Sequence, residues 1–328
     1  MGPTTLEPHL DLPVSVCADL DKHLIIHWWY ELVTDYSHRK LTYEKDRIPA
    51  FDGLAREFSE RTGYHYYSGI FREDYHRGLL WMSQSGKRTT EGNSPSWSWA
   101  SSIPEPNIRE RKRGISYDIG NLGGHNPTQP SELIEISQLD LKQLDLTEEG
   151  LTQILQQSDD QARKWALNMR GPVIWVDELE SMLPEPPSHP GSWAGWEAGT
   201  SYWPPIIEPV LHWTTEPYDP TNPRKREGMT IYPDEWIDDR TYSSSYLRVL
   251  LLLQISSFCF GVDRDPDDGP PEYTTWCLLL EPLYVTTIGQ EIYQRVGLVE
   301  IRQRDFGLQH VWNGEERLGW RRKTVTII

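Results

Sequence analysis

Tryptophan is the residue that most constrains this chain: 15 indoles stand among 328 residues whose hydrophobic content is only 37%. Folded domains usually reach about 45–50%, a range that also counts glycine. A core made from so few aliphatics must be filled with large flat rings. Segments that stay disordered lack aromatics, so an aromatic content of 11% argues for a folded chain. The length suits about two domains, or one large one.

Charge narrows the partners. With 32 basic and 49 acidic residues the formal net charge is −17, which argues against nucleic acid as a partner because phosphate neutralisation needs a positive surface. Cys17, Cys259 and Cys277 are widely spaced and odd in number, so no disulfide framework is expected and a reducing, cytoplasmic location is. The opening MGPTTLEPHLDLP has neither a basic stretch nor an apolar core, which predicts no signal peptide. Val249–Leu253 is the longest apolar run and falls far short of the ~20 residues that span a bilayer, so no membrane partner is expected.

Acid is unevenly spread: residues 1–101 carry a balance of −3 and the remaining 227 carry −14. With the basic run Arg109–Arg113 and the stretch NLGGHNPTQP, this predicts a linker over 102–130 between a segment 1–101 and a region 131–328. The first segment reads as helical. Trp29, Leu32, Val33 and Tyr36 share one helical stripe, and Phe51, Leu54, Ala55 and Phe58 repeat the spacing, with Asp46 as N-cap and Gly63 as terminator. A shorter helical turn is expected in Glu73–Leu80.

The second region reads as strand at Leu133–Ser137, Trp165–Met169, Val173–Val176, Leu247–Ile255, Thr274–Leu280 and Val296–Ile301, with a helix at Thr147–Gln157. Residues 181–240 are rich in Pro and Trp without clean periodicity, so they hold either hidden strands or a long insertion. The expected fold class is α+β: short N-terminal helices packed on a larger, mostly antiparallel sheet, sandwich or barrel-like.

Three phrases of the first segment stand out together. They are Trp29–Thr42 (WYELVTDYSHRKLT), Asp46–Ala55 (DRIPAFDGLA), and Arg77–Trp81 (RGLLW) with Pro95–Ser101 (PSWSWAS). In this order the chain resembles the segment that follows the HET domain in fungal heterokaryon-incompatibility proteins. The resemblance covers about residues 27–101, with weaker echoes at Leu167–Gly171 and Tyr293–Leu298. It implies a role in self/non-self recognition and cell-death signalling. Only about 25 residues stand before the first phrase, so the HET domain itself is expected to be absent and no catalytic residue is carried over.

Within PSWSWAS, strand alternation would place Trp97 and Trp99 on one face, with Ser96, Ser98 and Ala100 on the other. Trp29, Tyr36, Trp81, Trp97 and Trp99 are expected as structural anchors, Trp97 and Trp99 joining the helices to the sheet. Arg39 and Asp46 flank the loop between the first two helices and are placed to pair; Asp74 and Arg77 have the spacing of a helix-face pair.

Reactive constellations fall away one by one. His23 and His27 have the spacing of zinc ligands on a helix but lack a third partner. Asp263–Gly269 begins like a calcium loop, yet its glycine comes late and Thr274 stands where a bidentate glutamate belongs. Ser85–Arg88 looks like the end of a phosphate loop without its hydroxyl residue or first glycine. Glu178 and Glu180 are a pair that 49 acids produce by chance. No enzyme, metal or cofactor is expected.

Two functions remain. The leading one is a non-catalytic accessory module whose partner is a protein, with a HET-domain protein as first candidate. The other is a carbohydrate-binding module with a stacking platform at Trp193, Trp196, Trp203 and Trp213.

Overall fold

A computed structural model describes residues 18–39, 41–83, 88–89, 94–103, 115–117, 131–148, 150, 152, 163–182, 195–200, 209–214, 228–234, 244–260, 272–303 and 319–328. The fold class is α+β, with a few helices set against one large sheet.

The N-terminal unit is built on α1 (Ala18–Ser37) and α2 (Arg47–Thr62). Helix α2 buries Phe51, Ala55 and Phe58 at successive turns. It stops at Gly63, whose φ of 74° lets its N–H return to Ser59 O at 2.8 Å. Asp46 precedes the helix, but its side chain makes no capping bond. Two short strands, β1 (Tyr66–Tyr67) and β2 (Ile70–Phe71), form a hairpin, and a 3-10 turn leads into α3 (Tyr75–Gly78). Strand β3 (Trp81–Ser83) then pairs with β4 (Ile115–Tyr117), so part of the stretch read as linker is a strand of this unit.

The core of the unit is aromatic, as the composition requires. Trp29 is fully buried, with Phe71, Phe51, Phe58 and Tyr66 at ring-centre distances of 4.8, 5.0, 5.2 and 5.5 Å. Such inclined pairs add about 0.5–1.5 kcal/mol each beyond the area they bury.

The second region follows as β5 (Glu132–Asp140), β6 (Arg163–Trp175), α4 (Val176–Met182), β7 (Gly195–Thr200), β8 (Pro209–Thr214), β9 (Gly228–Pro233), α5 (Ser244–Leu247), β10 (Leu251–Phe260), β11 (Glu272–Val285), β12 (Glu291–Gln303) and β13 (Arg321–Ile327). Three strands therefore lie within 181–240. The expected strands at 165–169 and 173–176 are one continuous β6, and Leu247 ends a helix rather than opening a strand. The helix expected at Thr147–Gln157 lies mostly outside the described residues.

Pairing closes a ring of five strands: β11 with β10, β10 with β6, β6 with β13, β13 with β12, and β12 with β11. All these contacts are antiparallel except β12–β13, a parallel contact of two register pairs, Ile292 opposite Thr326 and Tyr293 opposite Ile327. Strands β9, β8 and β7 continue the sheet outward from β12, and β5 lies along β6. The sheet is thus barrel-like with a three-stranded extension.

Alternation sorts the barrel side chains. Leu167, Met169 and Val173 of β6, Leu251 and Leu253 of β10, Trp276, Leu278 and Leu280 of β11, Tyr293 and Leu298 of β12, and Val325 and Ile327 of β13 join one apolar cluster. Only an interior draws on every ring strand at once. Ile70, Leu79, Leu80 and Trp97 of the N-terminal unit belong to the same cluster and so fill the end of the barrel. The opposite face carries Ile174, Leu252, Cys277, Leu279, Val299 and Ile301, covered by α4, α5 and Trp320.

Where β10 and β5 share the same flank of β6, Ser131 sits at the fork and its hydroxyl donates to Gln254 O. Gly171 of β6 is required there: a Cβ on it would lie 2.7 Å from Ser131 Cβ and nearer still to the hydroxyl. No helix among the described residues is long and apolar enough to cross a membrane.

Candidate functional site

The phrase Pro95–Ser101 is not a strand. It is a turn followed by a 3-10 turn at Trp99–Ser101, with Ser98 accepting from Ala100 N as its cap at 3.2 Å. The two indoles therefore part company instead of sharing a face. Trp97 enters the barrel interior and its Nε1 donates to Trp165 O at 3.3 Å. Trp99 enters the helical core, donates to Gly69 O at 3.0 Å and meets Tyr36 edge-on at 6.0 Å. Both are fully buried.

Ser96 makes the splice between them. Ile328 N, just past β13, donates to Tyr293 O at 2.9 Å. Ser96 N then donates to Ile328 O at 3.1 Å, and its hydroxyl donates to the same oxygen. Arg295 N donates back to Ser96 Oγ at 2.9 Å. Residue 96 thus extends the β12 ladder at the point where β13 stops.

Arg295 projects from β12 on the face of Tyr293 and is fully buried. Its guanidinium lies 3.6 Å from the centre of the Trp81 ring. Nε and one terminal nitrogen hold the Asp234 carboxylate at 3.0 and 3.1 Å. The remaining bonds go to Leu79 O at 2.7 Å and Trp81 O at 2.5 Å. Arg88 shares Asp234 at 3.1 Å and reaches Gln294 at 3.5 Å. Burial pushes the Arg295 pKa down while the adjacent carboxylate opposes it, and arginine keeps its charge. Trp81 completes the node by donating from Nε1 to Trp97 O at 3.0 Å.

A second node lies between α1 and the turn leading into α3. Tyr30 donates to one oxygen of Asp74, and Arg77 holds the other through Nε at 2.7 Å. Asp74 and Arg77 do pair, but Asp74 is buried, so this is not a helix-face pair. Burial pushes the Tyr30 hydroxyl up, and the Asp74 charge adds to it. His76 lies 3.8 Å from the same carboxylate, and burial pulls its imidazole down. In both nodes the carboxylate oxygens are already engaged by the protein itself. Such groups position segments and leave little capacity for a substrate.

The other expected residues fall as follows. Trp29 and Trp81 are fully buried; Tyr36 is half-buried and donates to Arg47 O at 3.3 Å. Arg39, just past the end of α1, bonds Asp35 of that helix at 2.8 Å rather than Asp46. His27 stands 3.4 Å from Glu31, and the His23 side chain lies outside the described residues. Among the described residues no cluster of three metal-ligating side chains occurs. Trp196 stands opposite Trp213 in the β7–β8 register, whereas Trp193, Trp203, Arg109–Arg113, Ser85–Lys87 and Asp263–Gly269 lie outside the described residues. Glu178 takes Arg321 at 2.8 Å, which makes it a surface ion pair.

Arg295 and Asp234 are not among the residues that the sequence singles out. A signal existed: period-two counting puts Arg295 on the face of Tyr293, an arginine at an inward position of an apolar strand. Asp234 had no comparable signal. Searched against family models, curated proteins and solved structures, the chain matches none.

Proposed function

We propose that this chain is a non-catalytic interaction module of heterokaryon-incompatibility type, acting in the cytoplasm on a protein partner, with a HET-domain protein as the first candidate. One observation supports it most. The phrases that carry the family resemblance supply four fully buried indoles: Trp29 and Trp99 in the core of the helical unit, Trp81 against Arg295 of the barrel, and Trp97 in the barrel interior. The resemblance thus rests on residues that build the helical unit's core and, through Trp81 and Trp97, join it to the barrel, which is what a scaffold presenting a surface needs. Co-expression and pull-down against HET-domain proteins of the same cell tests it. Specific capture, lost when Trp99→Ala loosens the junction, is expected; recovery at background level overturns it.

A second reading is favoured by one feature, the in-register placement of Trp196 opposite Trp213 on an extension of the sheet. Cross-strand aromatic pairs on such an extension suit sugar stacking. A glycan array decides it: binding abolished by Trp196→Ala supports the platform, and binding indifferent to that change removes it.

A further inference from the structure

A pair of adjacent basic residues stands two and three positions before a threonine at three places in this acidic chain. They are Arg39-Lys40 before Thr42, Lys87-Arg88 before Thr90, and Arg321-Arg322 before Thr324. This is the charge pattern read by basic-directed serine/threonine kinases, whose acidic pockets take the two side chains. Such a kinase also needs the acceptor segment as extended chain with its backbone free. Sequence alone favours Thr324, which has two arginines before it. The fold reverses that order.

Thr324 has an exposed side chain, but its backbone is spoken for. Strand β13 pairs with β6 from Arg321 opposite Val173 to Ile327 opposite Leu167, and Val325, next after Thr324, is fully buried. Arg321 is held by Glu178 at 2.8 Å, and Lys323 by Glu291 and Tyr293. Thr90 lies outside the described residues, yet Arg88 before it is only 15% exposed and is gripped by Asp234. Thr42 differs on every count. It is exposed in the loop between α1 and the 3-10 turn Glu44–Asp46, and neither Leu41 nor Thr42 makes a backbone hydrogen bond among the described residues. Tyr43, next after it, is 61% exposed. The Arg39 side chain points into solvent, and its bond to Asp35 is a surface ion pair of the kind that is readily given up.

We infer that Thr42 is a phosphorylation site for a basic-directed serine/threonine kinase, and that the fold withholds Thr324 from the same enzyme. The Thr42 hydroxyl oxygen attacks the γ-phosphorus of ATP; the new O–P bond forms as the bond to ADP breaks, and the hydroxyl proton passes to the kinase's base. The product carries about −1.5 to −2 charge on an exposed loop two residues before the helical stretch that leads into α2. Thr42 closes the first of the three resemblance phrases, so the change falls on the surface of the helical unit and leaves its aromatic core untouched. The site does not depend on the scaffold role.

The test incubates the full native chain with ATP and the catalytic subunit of cAMP-dependent protein kinase, a basic-directed probe, and maps the phosphate by mass spectrometry. Synthetic peptides of residues 36–46 and 319–328 supply the rates that the two sequences have without the fold. The first phosphate on the native chain is expected at Thr42, at a rate within about tenfold of its peptide. Thr324 should react about a hundredfold or more slower than its own peptide, because β13 must first leave β6. Thr42→Val should abolish the first phosphate. Arg39→Ala, a change at an exposed side chain, should slow it about tenfold or more, the effect of one lost charge-assisted contact. The proposal falls if the native chain takes its first phosphate at Thr324 or Thr90, or takes none. It falls equally if Arg39→Ala is phosphorylated as fast as the parent.

Discussion

The guanidinium of Arg295 lies over the ring of Trp81, 3.6 Å from its centre, while its nitrogens hold Asp234. A strand of the barrel and a strand of the helical unit are thereby tied by one side chain. Asp234→Ala leaves that charge buried without its counterion and should cost about 3–5 kcal/mol. Arg295→Leu should cost a similar amount, and the double variant less than the two together, because the groups are coupled. Urea midpoints with unchanged slope would establish this.

The fork at Ser131 predicts a rescue. Gly171→Ala forces a methyl against Ser131 and should lower stability by about 1–3 kcal/mol. Ser131→Gly in the same chain removes the obstruction, so the double variant should melt above Gly171→Ala alone. A double variant no better than the single one would show that the strain lies elsewhere.

His76 should make stability pH-dependent with a definite sign. Burial, its main cause, pulls the imidazole below its ordinary 6.5; Asp74 opposes the shift and Arg77 adds to it. Near and below pH 6.5 the unfolded chain therefore binds more protons than the folded one. Stability is held above that pH and lost as pH falls through the folded value. Denaturation series from about pH 7.5 to about pH 5 should show this loss, and His76→Gln should flatten it. The carboxyls of Glu73 and Glu291, held down by His65 and by Lys323 with Tyr293 respectively against the cost of burial, act in the same direction only at lower pH.

Trp97 and Trp99 should fail differently although they are two positions apart. Each replaced by Ala should cost about 3–5 kcal/mol. Hydrogen exchange read by mass spectrometry should locate the damage: the start of β6 and the barrel end for Trp97→Ala, α1 and α2 for Trp99→Ala. Identical exchange maps would contradict the separation of the two indoles.

What sequence could reveal followed from periodicity. The stripe of α2 from Phe51 to Phe58 and its stop at Gly63 are local properties, and both occur as read. The apolar runs Thr274–Leu280 and Val296–Ile301 are equally local and lie within β11 and β12, whereas the run Leu247–Ile255 begins on α5 and stops before the end of β10. Strand β13, RRKTVTI, half charged and half β-branched, gave no run to recognise; it is a strand because β6 and β12 flank it. PSWSWAS misled because alternation implies a strand only when partners lie alongside, and here Ser98 caps a 3-10 turn instead. Ring closure rests on pairings as distant as Leu167 opposite Ile327, beyond any window of periodicity.

Cys277 offers a simple probe of the barrel wall. Its thiol is fully buried, and burial pushes its pKa well up, so thiolate is scarce. With Cys17 and Cys259 changed to Ser, a thiol reagent should modify Cys277 only as fast as the barrel opens. Rapid labelling of the native chain would contradict the packing described here.

The bonds from Ser96 to Ile328 join positions 232 residues apart in the chain. On the ribosome the helical unit is made first, yet the ladder it must complete does not exist until residues beyond 320 have emerged. Trp97 and its neighbours then wait exposed through most of translation, a window in which a chaperone has more to hold than in the finished protein.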